Sequence, residues 1–297
     1  MNDMHGQTVL VTGGTSGIGL VAARELTWLG ARVVIVGRNI EKTKRVVDDI
    51  KRMTQNGDVQ YLIGDLSSLE AVRQLAIGFR KRYDRLNVLV NNAGAISFNR
   101  ELSDDGYEMT LAVNHLAPFL LTNLLLDMLA QSGNPQRRAR VVNVSSGAHR
   151  GGKIDFEDLQ MERKYSAFGA YSNSKLAFTM FSYELARRIA ERGLPVTANS
   201  LHPGFVATGF GKQSGGFIGV LSKVVMGLAR PLAISPEKGA RTTIYLAASG
   251  DVEGVSGKYF EKEKEAASSP ASMNQEEWKR LWKVSEELVA LTADSPV

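Results

Sequence analysis

Apolar runs that do not alternate narrow this chain's folding options more than any other feature. "QTVLVTG" (7–13), "ARVVIVG" (31–37), "RLNVLVNN" (85–92) and "ARVVNVSS" (139–146) are near-continuous in Val, Ile and Leu. A strand with one wet face alternates polar and apolar residues. A strand buried on both faces does not, and such strands belong to a parallel sheet covered by helices on either side. "DVQYLIGD" (58–65), "VTANSLH" (196–202) and "GKYFE" (257–261) extend the set. Amphipathic helices separate the strands. Ile18 to Leu29 carries Ile18, Val21, Ala22, Leu26 and Leu29 on one face and stops at Gly30. Ser67 and Glu70 form a capping box that opens a helix running to about Tyr83. "MTLAVNHLAPFLLTNLLLDML" (109–129) reads as one long helix, Gly193 closes another, and a last one runs from Gln275 to about Leu291. Repeated βα units of this kind predict an α/β fold: a doubly wound parallel sheet with helices on both faces and ligands at the carboxyl ends of its strands. No linker or repeat divides the chain, so residues 1–297 read as a single domain, with the polar stretch 261–275 as a loop.

Composition removes several function classes. There are 297 residues, 43% of them hydrophobic, which is enough for one large core. The absence of cysteine excludes disulfides, thiolate nucleophiles and Cys-based zinc sites. His5, His115, His149 and His202 lie far apart and form no ligand pair, so no metal site is expected. The net charge of +5 is scattered without interleaved aromatics, which fits a solvated basic surface and an anionic cofactor better than a nucleic acid. No apolar run approaches the roughly 18–20 residues of a membrane span, and no signal peptide is visible. The expectation is a cytoplasmic protein.

"TGGTSGIG" (12–19) lies where the first strand turns into the first helix. Gly13 allows the tight turn, Gly17 a close backbone approach to a pyrophosphate, and Gly19 close packing of helix on sheet; the helix N-terminus then faces the phosphates. The second strand ends "VVIVGRN", so Gly37 stands where an NAD site carries an acid, and Arg38 follows. An acid repels a 2′-phosphate and an arginine pairs with it, so NADP(H) is expected over NAD(H). Asp65, after the third strand, is placed to accept from the adenine amino group, and reads equally well as a loop aspartate or a helix cap.

"FGAYSNSKLAF" (168–178) puts Tyr171 and Lys175 on one helical face. A neighbouring ammonium favours a phenolate and is expected to pull the tyrosine pKa down toward neutrality, which suits it to exchange a proton with a carbonyl or alcohol oxygen. Ser145 and Ser146 end the fifth strand, where a hydroxyl can reach the same oxygen. "NNAG" (91–94) supplies a small, flat backbone after the fourth strand, and Asn114 stands inside the long helix, either paired with backbone or anchoring a water that links Lys175 to solvent. "HPGFVAT" (202–208) follows the sixth strand, with a Pro-Gly turn and Thr208 able to hold a carboxamide.

The chain resembles the short-chain dehydrogenases/reductases: TGGTSGIG, NNAG, Asn114, the Ser-Ser pair, YSNSK and PGFVAT appear in that family's order over residues 8–208. The insert between serine and tyrosine, with "VSGKYFEKEK" and "WKRLWKVSEELVAL", is similar to the retinol dehydrogenase-like branch. The resemblance implies a Rossmann-like sheet of about seven strands and hydride transfer to and from nicotinamide. It implies Tyr171 as general acid/base, Lys175 as its electrostatic partner and ribose ligand, Ser146 rather than Ser145 as the carbonyl-polarising hydroxyl, and Asn114 in a proton relay. The implied cofactor contacts are Gly13, Thr15, Ser16, Gly17, Ile18, Gly19, Arg38, Asp65, Leu66, Asn92, Ala93, Gly94, Tyr171, Lys175, Pro203, Gly204, Val206 and Thr208. A cofactor half then spans about 1–150 and a catalytic and substrate half about 151–297. Within the latter, 205–235 is an apolar lid suited to a bulky carbonyl compound or a membrane surface. The long helix and the Tyr171 helix commonly make dimer contacts in this family, so a homo-oligomer, dimer or tetramer, is expected. Two other classes stay open: an NADP(H)-sensing protein with little chemistry, and a membrane- or complex-associated scaffold.

Overall fold

The computed structural model describes residues 3–206 and 234–291. Seven strands lie parallel: β1 (Thr8–Thr12), β2 (Arg32–Gly37), β3 (Val59–Ile63), β4 (Val88–Asn91), β5 (Ala139–Val144), β6 (Val196–His202) and β7 (Tyr259–Glu261). Their order is β3-β2-β1-β4-β5-β6-β7, and a two-residue strand, β8 (Lys264–Glu265), adds antiparallel at the edge. The order reverses beside β1, where the chain moves from β3 to β4, and a crevice at such a switch point is where open α/β sheets bind ligands.

Two apolar layers explain the continuous strand runs. Leu10, Val34, Val36, Leu89, Val141 and Ala198 point into one core. Val9, Val11, Val33, Ile35, Val88, Val90, Val142 and Val144 point into the other. Both faces of the central strands are dry, so most positions are apolar, and the buried polar ones such as Asn91 and Asn143 are hydrogen-bonded to other side chains. Edge strand β3 is the exception: Gln60 and Ile63 are exposed, and only Val59 and Leu62 are buried.

Helices α1 (Gly17–Trp28), α2 (Ile40–Thr54) and α7 (Pro236–Ala248) cover one face of the sheet. The other is covered by α3 (Leu69–Arg82), α5 (Ala117–Ser132), α6 (Ala167–Glu191) and α8 (Gln275–Leu288). A one-turn helix, α4 (Met109–Leu111), runs through a π-turn (Ala112–Leu116) into α5. On the outer side, α8 lays Trp282 against Phe119 of α5 and Phe181 of α6, with ring centroids 4.9 and 5.7 Å apart.

Four expectations change. The cap of α3 is Ser68, whose hydroxyl accepts from Ala71 N–H, not Ser67. Asp65 accepts both the N–H and the hydroxyl of Ser67, and Glu70 bonds Gln74 instead of folding back. The stretch 261–275 is more than loop: it holds β8 and a 3-10 turn at Pro270–Met273. The final helix stops at Leu288, and Ala290 beyond it has a left-handed φ of 47°. The helical run Met109–Ser132 is, at 24 residues, long and apolar enough to cross a membrane by length and composition, contrary to the sequence reading. Most of it is buried inside the fold, between α3, α6 and α8, so burial in the protein accounts for its apolarity.

Candidate active site

The glycine loop is built to bring backbone close to backbone. Gly13 and Gly17 have φ of 66° and 56°, a region that costs a side-chain-bearing residue strain. A Cβ at Gly19 would stand 2.3 Å from Asn92 Nδ2 and 2.4 Å from the Gly13 carbonyl, so any side chain here would wedge the loop open. Ser16 stands at the N-cap of α1 in extended geometry and makes no side-chain capping bond, which leaves the first-turn N–H groups facing the loop. Asn92 ties this loop to the segment after β4: its Nδ2 donates to the carbonyls of Thr12 and Gly13, at 2.9 and 3.3 Å. The Thr12 hydroxyl oxygen accepts from the N–H groups of Asn92 and Ala93, at 3.0 and 3.1 Å. Thr12 opens the TGGTSGIG stretch, but nothing in the sequence assigns its hydroxyl a partner.

At the end of β2, Gly37 is sealed. A Cβ there would meet Thr43 Oγ1 at 2.3 Å and Thr15 Cγ2 at 2.8 Å, so an acidic side chain has no room. Arg38 stands beside this point, half exposed, with Nη1 4.0 Å from Asp65 Oδ2. Asp65 is therefore the acidic neighbour of Arg38 as well as the anchor of the Ser67 turn, while Leu66 packs on the edge of the core. On the far side of the cradle, Gly204 (φ 89°) follows Pro203 after β6, and Val206 pairs with Ile234. Val206 and Ile18 both pack at Gly239 of α7, where a Cβ would lie 2.5 Å from Val206 and 3.3 Å from Ile18. Thr208 and the lid residues 207–233 lie outside the described residues. The sealed Gly37, the open first turn of α1 and the loops from β1, β4 and β6 converging at one sheet edge fit a dinucleotide.

The candidate reacting side chains come from three elements. Ser146 follows β5; its hydroxyl accepts from Ala148 N–H at 3.2 Å and lies close enough to the Tyr171 hydroxyl on α6 to lower the tyrosine pKa. Ser145 faces the other way: its buried hydroxyl bonds the Lys175 carbonyl at 3.1 Å and Thr179 Oγ1 at 2.8 Å. The structure thus brings Ser146, not Ser145, to the tyrosine. Lys175 is buried, with Nζ donating to the Val144 carbonyl at 3.0 Å and 5.9 Å from the Tyr171 ring. Asn114, in the π-turn, locks the post-β4 loop through its side chain. Oδ1 accepts from Ala95 N–H at 2.7 Å, and Nδ2 donates to the Ala95 carbonyl at 2.9 Å and to Ser174 Oγ at 3.0 Å. Gly94 lies between these groups; a Cβ there would come within 3.3 Å of Asn114 Oδ1 and 3.4 Å of Lys175 Nζ.

Two histidines that the sequence reading weighed only as metal ligands hold the serine loop. His202 Nδ1 accepts from Gly147 N–H at 2.9 Å. His149 Nε2 accepts from Ser269 N–H at 3.0 Å, which leaves the proton on Nδ1 to be donated to the Ser146 carbonyl, 2.7 Å away. Both rings have lowered pKa values, mainly through burial, so both stay neutral acceptors at neutral pH. Backbone pairing of this kind has no sequence signature.

Electrostatics correct one expectation. Burial pushes the Tyr171 pKa up, and the Ser146 hydrogen bond only partly offsets it. Burial also pushes Lys175 down to about 8. The two groups share one desolvated pocket, which disfavours phenolate and ammonium alike. A stability prediction follows from Lys175. Its folded-state pKa lies below the unfolded value of 10.5, so the folded protein binds fewer protons between the two. The cost of burying the ammonium is therefore fully present below pH 8 and is relieved as pH rises toward 10.5. Lys175→Met removes a cost of order 3 kcal/mol, less the bond to Val144. The variant should melt higher than the parent at pH 7, with the difference shrinking by pH 10. Equal melting temperatures at both pH values would refute the account.

Two cavities of about 290 and 530 Å³ open elsewhere among the described residues, the larger between α1 and α7; neither is lined by Ser146, Tyr171 or Lys175.

The family model described as short chain dehydrogenase matches residues 7–216. Human polyprenol dehydrogenase is 41% identical over 96% of this chain and 86% of its own length. Human retinol dehydrogenase 13 is 40% identical over 98% of this chain and 86% of its own. Among solved structures, an uncharacterised protein from Mycobacterium paratuberculosis superposes with a TM-score of 0.77 at 32% identity, covering 98% of this chain and 96% of that one. The RhlG/NADP active-site complex from Pseudomonas aeruginosa gives 0.69 at 27% identity, covering 87% and 95%. The chain belongs to the short-chain dehydrogenases, in their retinol dehydrogenase-like branch.

Proposed function

We propose that the protein is an NADP(H)-dependent oxidoreductase that interconverts a bulky apolar aldehyde or ketone and its alcohol. The observation that carries this reading is the pair of neighbouring hydroxyls, Ser146 and Tyr171, at the carboxyl edge of the sheet, with Lys175 buried one helical turn away. A bound nicotinamide supplies or accepts the hydride. In the reducing direction the Tyr171 hydroxyl gives its proton to the carbonyl oxygen while Ser146 donates a hydrogen bond to that oxygen. A raised tyrosine pKa keeps Tyr171 protonated and ready to donate. Lys175 then stabilises the phenolate that the transfer leaves, and Asn114 fixes the loop through which the proton is replaced.

The sealed Gly37 and the neighbouring Arg38 support NADP(H), and three structural neighbours are described as complexes with NADP or NADPH. The glycine loop, Asn92, Ala93 and Gly94, with Pro203, Gly204 and Val206, would hold the dinucleotide. Arg38→Ala should weaken NADPH binding about 10–100-fold, the worth of a charge-assisted pair, and leave NADH binding nearly unchanged. Equal losses for both, by fluorescence titration, would remove Arg38 from the site.

The relatives' names point to the substrate class. Retinol and polyprenols are long isoprenoid alcohols, and the apolar 205–235 segment suits such a chain. The direct test follows absorbance at the nicotinamide band with NADPH and NADH in parallel. The substrates are retinal, a farnesyl-type aldehyde, aryl ketones and steroids. Turnover with NADPH and an isoprenoid aldehyde supports the whole reading; no turnover on any of them, with NADPH still bound, sinks the enzymatic part.

A further inference from the structure

The chemistry above makes no use of His115, although it is fully buried and adjacent to Asn114 in the π-turn. The two side chains leave that turn toward different partners. Asn114 engages Ala95 and Ser174. His115 Nε2 lies 2.8 Å from the hydroxyl of Ser285 on α8. Ser285 donates its own proton to the Leu281 carbonyl at 2.7 Å, so it accepts from the histidine, and Nε2 carries the imidazole proton. Nδ1 is then a bare lone pair, consistent with its having no hydrogen-bond partner. Burial drives the His115 pKa down to about 3, so the ring is neutral wherever the protein is folded and active. Phe119 and Phe181 flank it, with ring centroids 6.1 and 6.3 Å away.

A π-turn holds one more residue than α geometry accommodates, and it persists only where side chains compensate. If this turn relaxed by one residue to α geometry, side chains on one side of it would rotate by about 100° relative to those on the other. Asn114 could not then hold Ala95 while His115 held Ser285. The turn is pinned at its start by Glu108, whose carboxylate accepts from the N–H groups of Thr110 and Leu111, at 2.9 and 2.7 Å. We propose that His115 and Ser285 are positioning residues: α8, which lies beyond the 7–216 stretch matched by the family model, sets the orientation of Asn114 by clamping the π-turn from the side opposite Ala95. The proposal rests on the reading of Tyr171 and Lys175 as the reacting centre.

The test cuts one bond from both ends in the full chain. Ser285→Ala removes the acceptor; His115→Phe keeps a ring between Phe119 and Phe181 but has no N–H. Each should lower kcat about 3–10-fold with NADPH affinity unchanged, and should move the pH profile of kcat. The double variant should be no worse than either single one, because one bond is being removed. Hydrogen exchange supplies a readout without turnover: the Ala95 amide, held by Asn114, should exchange several-fold faster in both variants. Lowered melting temperatures with parental kcat, pH profile and Ala95 exchange would reduce the His115–Ser285 bond to a structural one and overturn the proposal. Additive losses in the double variant would do the same. If the parent protein turns over no substrate, the functional reading falls, while Ala95 exchange still decides the positioning.

Discussion

Replacing Tyr171 with phenylalanine is expected to lower kcat about 10²–10⁴-fold, the usual contribution of a positioned general acid or base. The ring, its place on α6 and its neighbours persist; only the hydroxyl beside Ser146 is lost. Dinucleotide affinity should stay within roughly threefold, because the cradle is built from β1, β4 and their loops. Two experiments separate the possibilities: single-turnover kinetics for the chemical step and fluorescence titration for NADPH. A variant that retains more than about a tenth of parental kcat would mean that another group moves the proton. Collapse of both turnover and NADPH binding would point instead to a folding defect.

The second large effect is on stability. Trp282 is 2% exposed and lies at the centre of the contact between α8 and the core. It stacks on Phe181, meets Phe119 edge-on and carries the Arg188 guanidinium 4.2 Å from its ring centroid. Its Nε1–H donates to Glu286 at 2.6 Å. Trp282→Ala empties this site and should cost about 3–5 kcal/mol. For a chain of this size that is a fall of roughly 6–15 °C in Tm by calorimetry. Trp282→Phe keeps most of the buried ring and should cost clearly less. A fall under about 3 °C for the alanine variant would show that α8 is an appendage and not part of the core. The sequence reading expected α5 and α6 to meet a second copy; in this chain α8 already packs on both.

Much of the candidate site was legible because backbone chemistry dictates residue type. Gly13, Gly17 and Gly19 are glycines because a positive φ or a close approach leaves room for nothing else. Tyr171 and Lys175 are four apart because one helical face must carry both. Other parts were not legible. The capping box at Ser67 failed because Asp65, three residues from the true cap, competed for the same hydroxyl. The tyrosine pKa was read in the wrong direction because an i,i+4 spacing gives proximity but not desolvation. Here Lys175 turns to the Val144 carbonyl, and burial sets the direction of both shifts.

By itself the sequence determined the doubly wound sheet, the glycine loop after β1 and the placing of Tyr171 and Lys175 on one helical face. Each of these follows from a local periodicity or spacing that the backbone must obey. Only the tertiary structure decided which serine meets Tyr171 and that Gly37 is closed by Thr43 and Thr15. It also decided that His149 and His202 hold the serine loop and that α8 reaches His115 across 170 residues of sequence. Those contacts are made between elements, and their energies depend on what is buried beside what, which no run of neighbouring residues encodes.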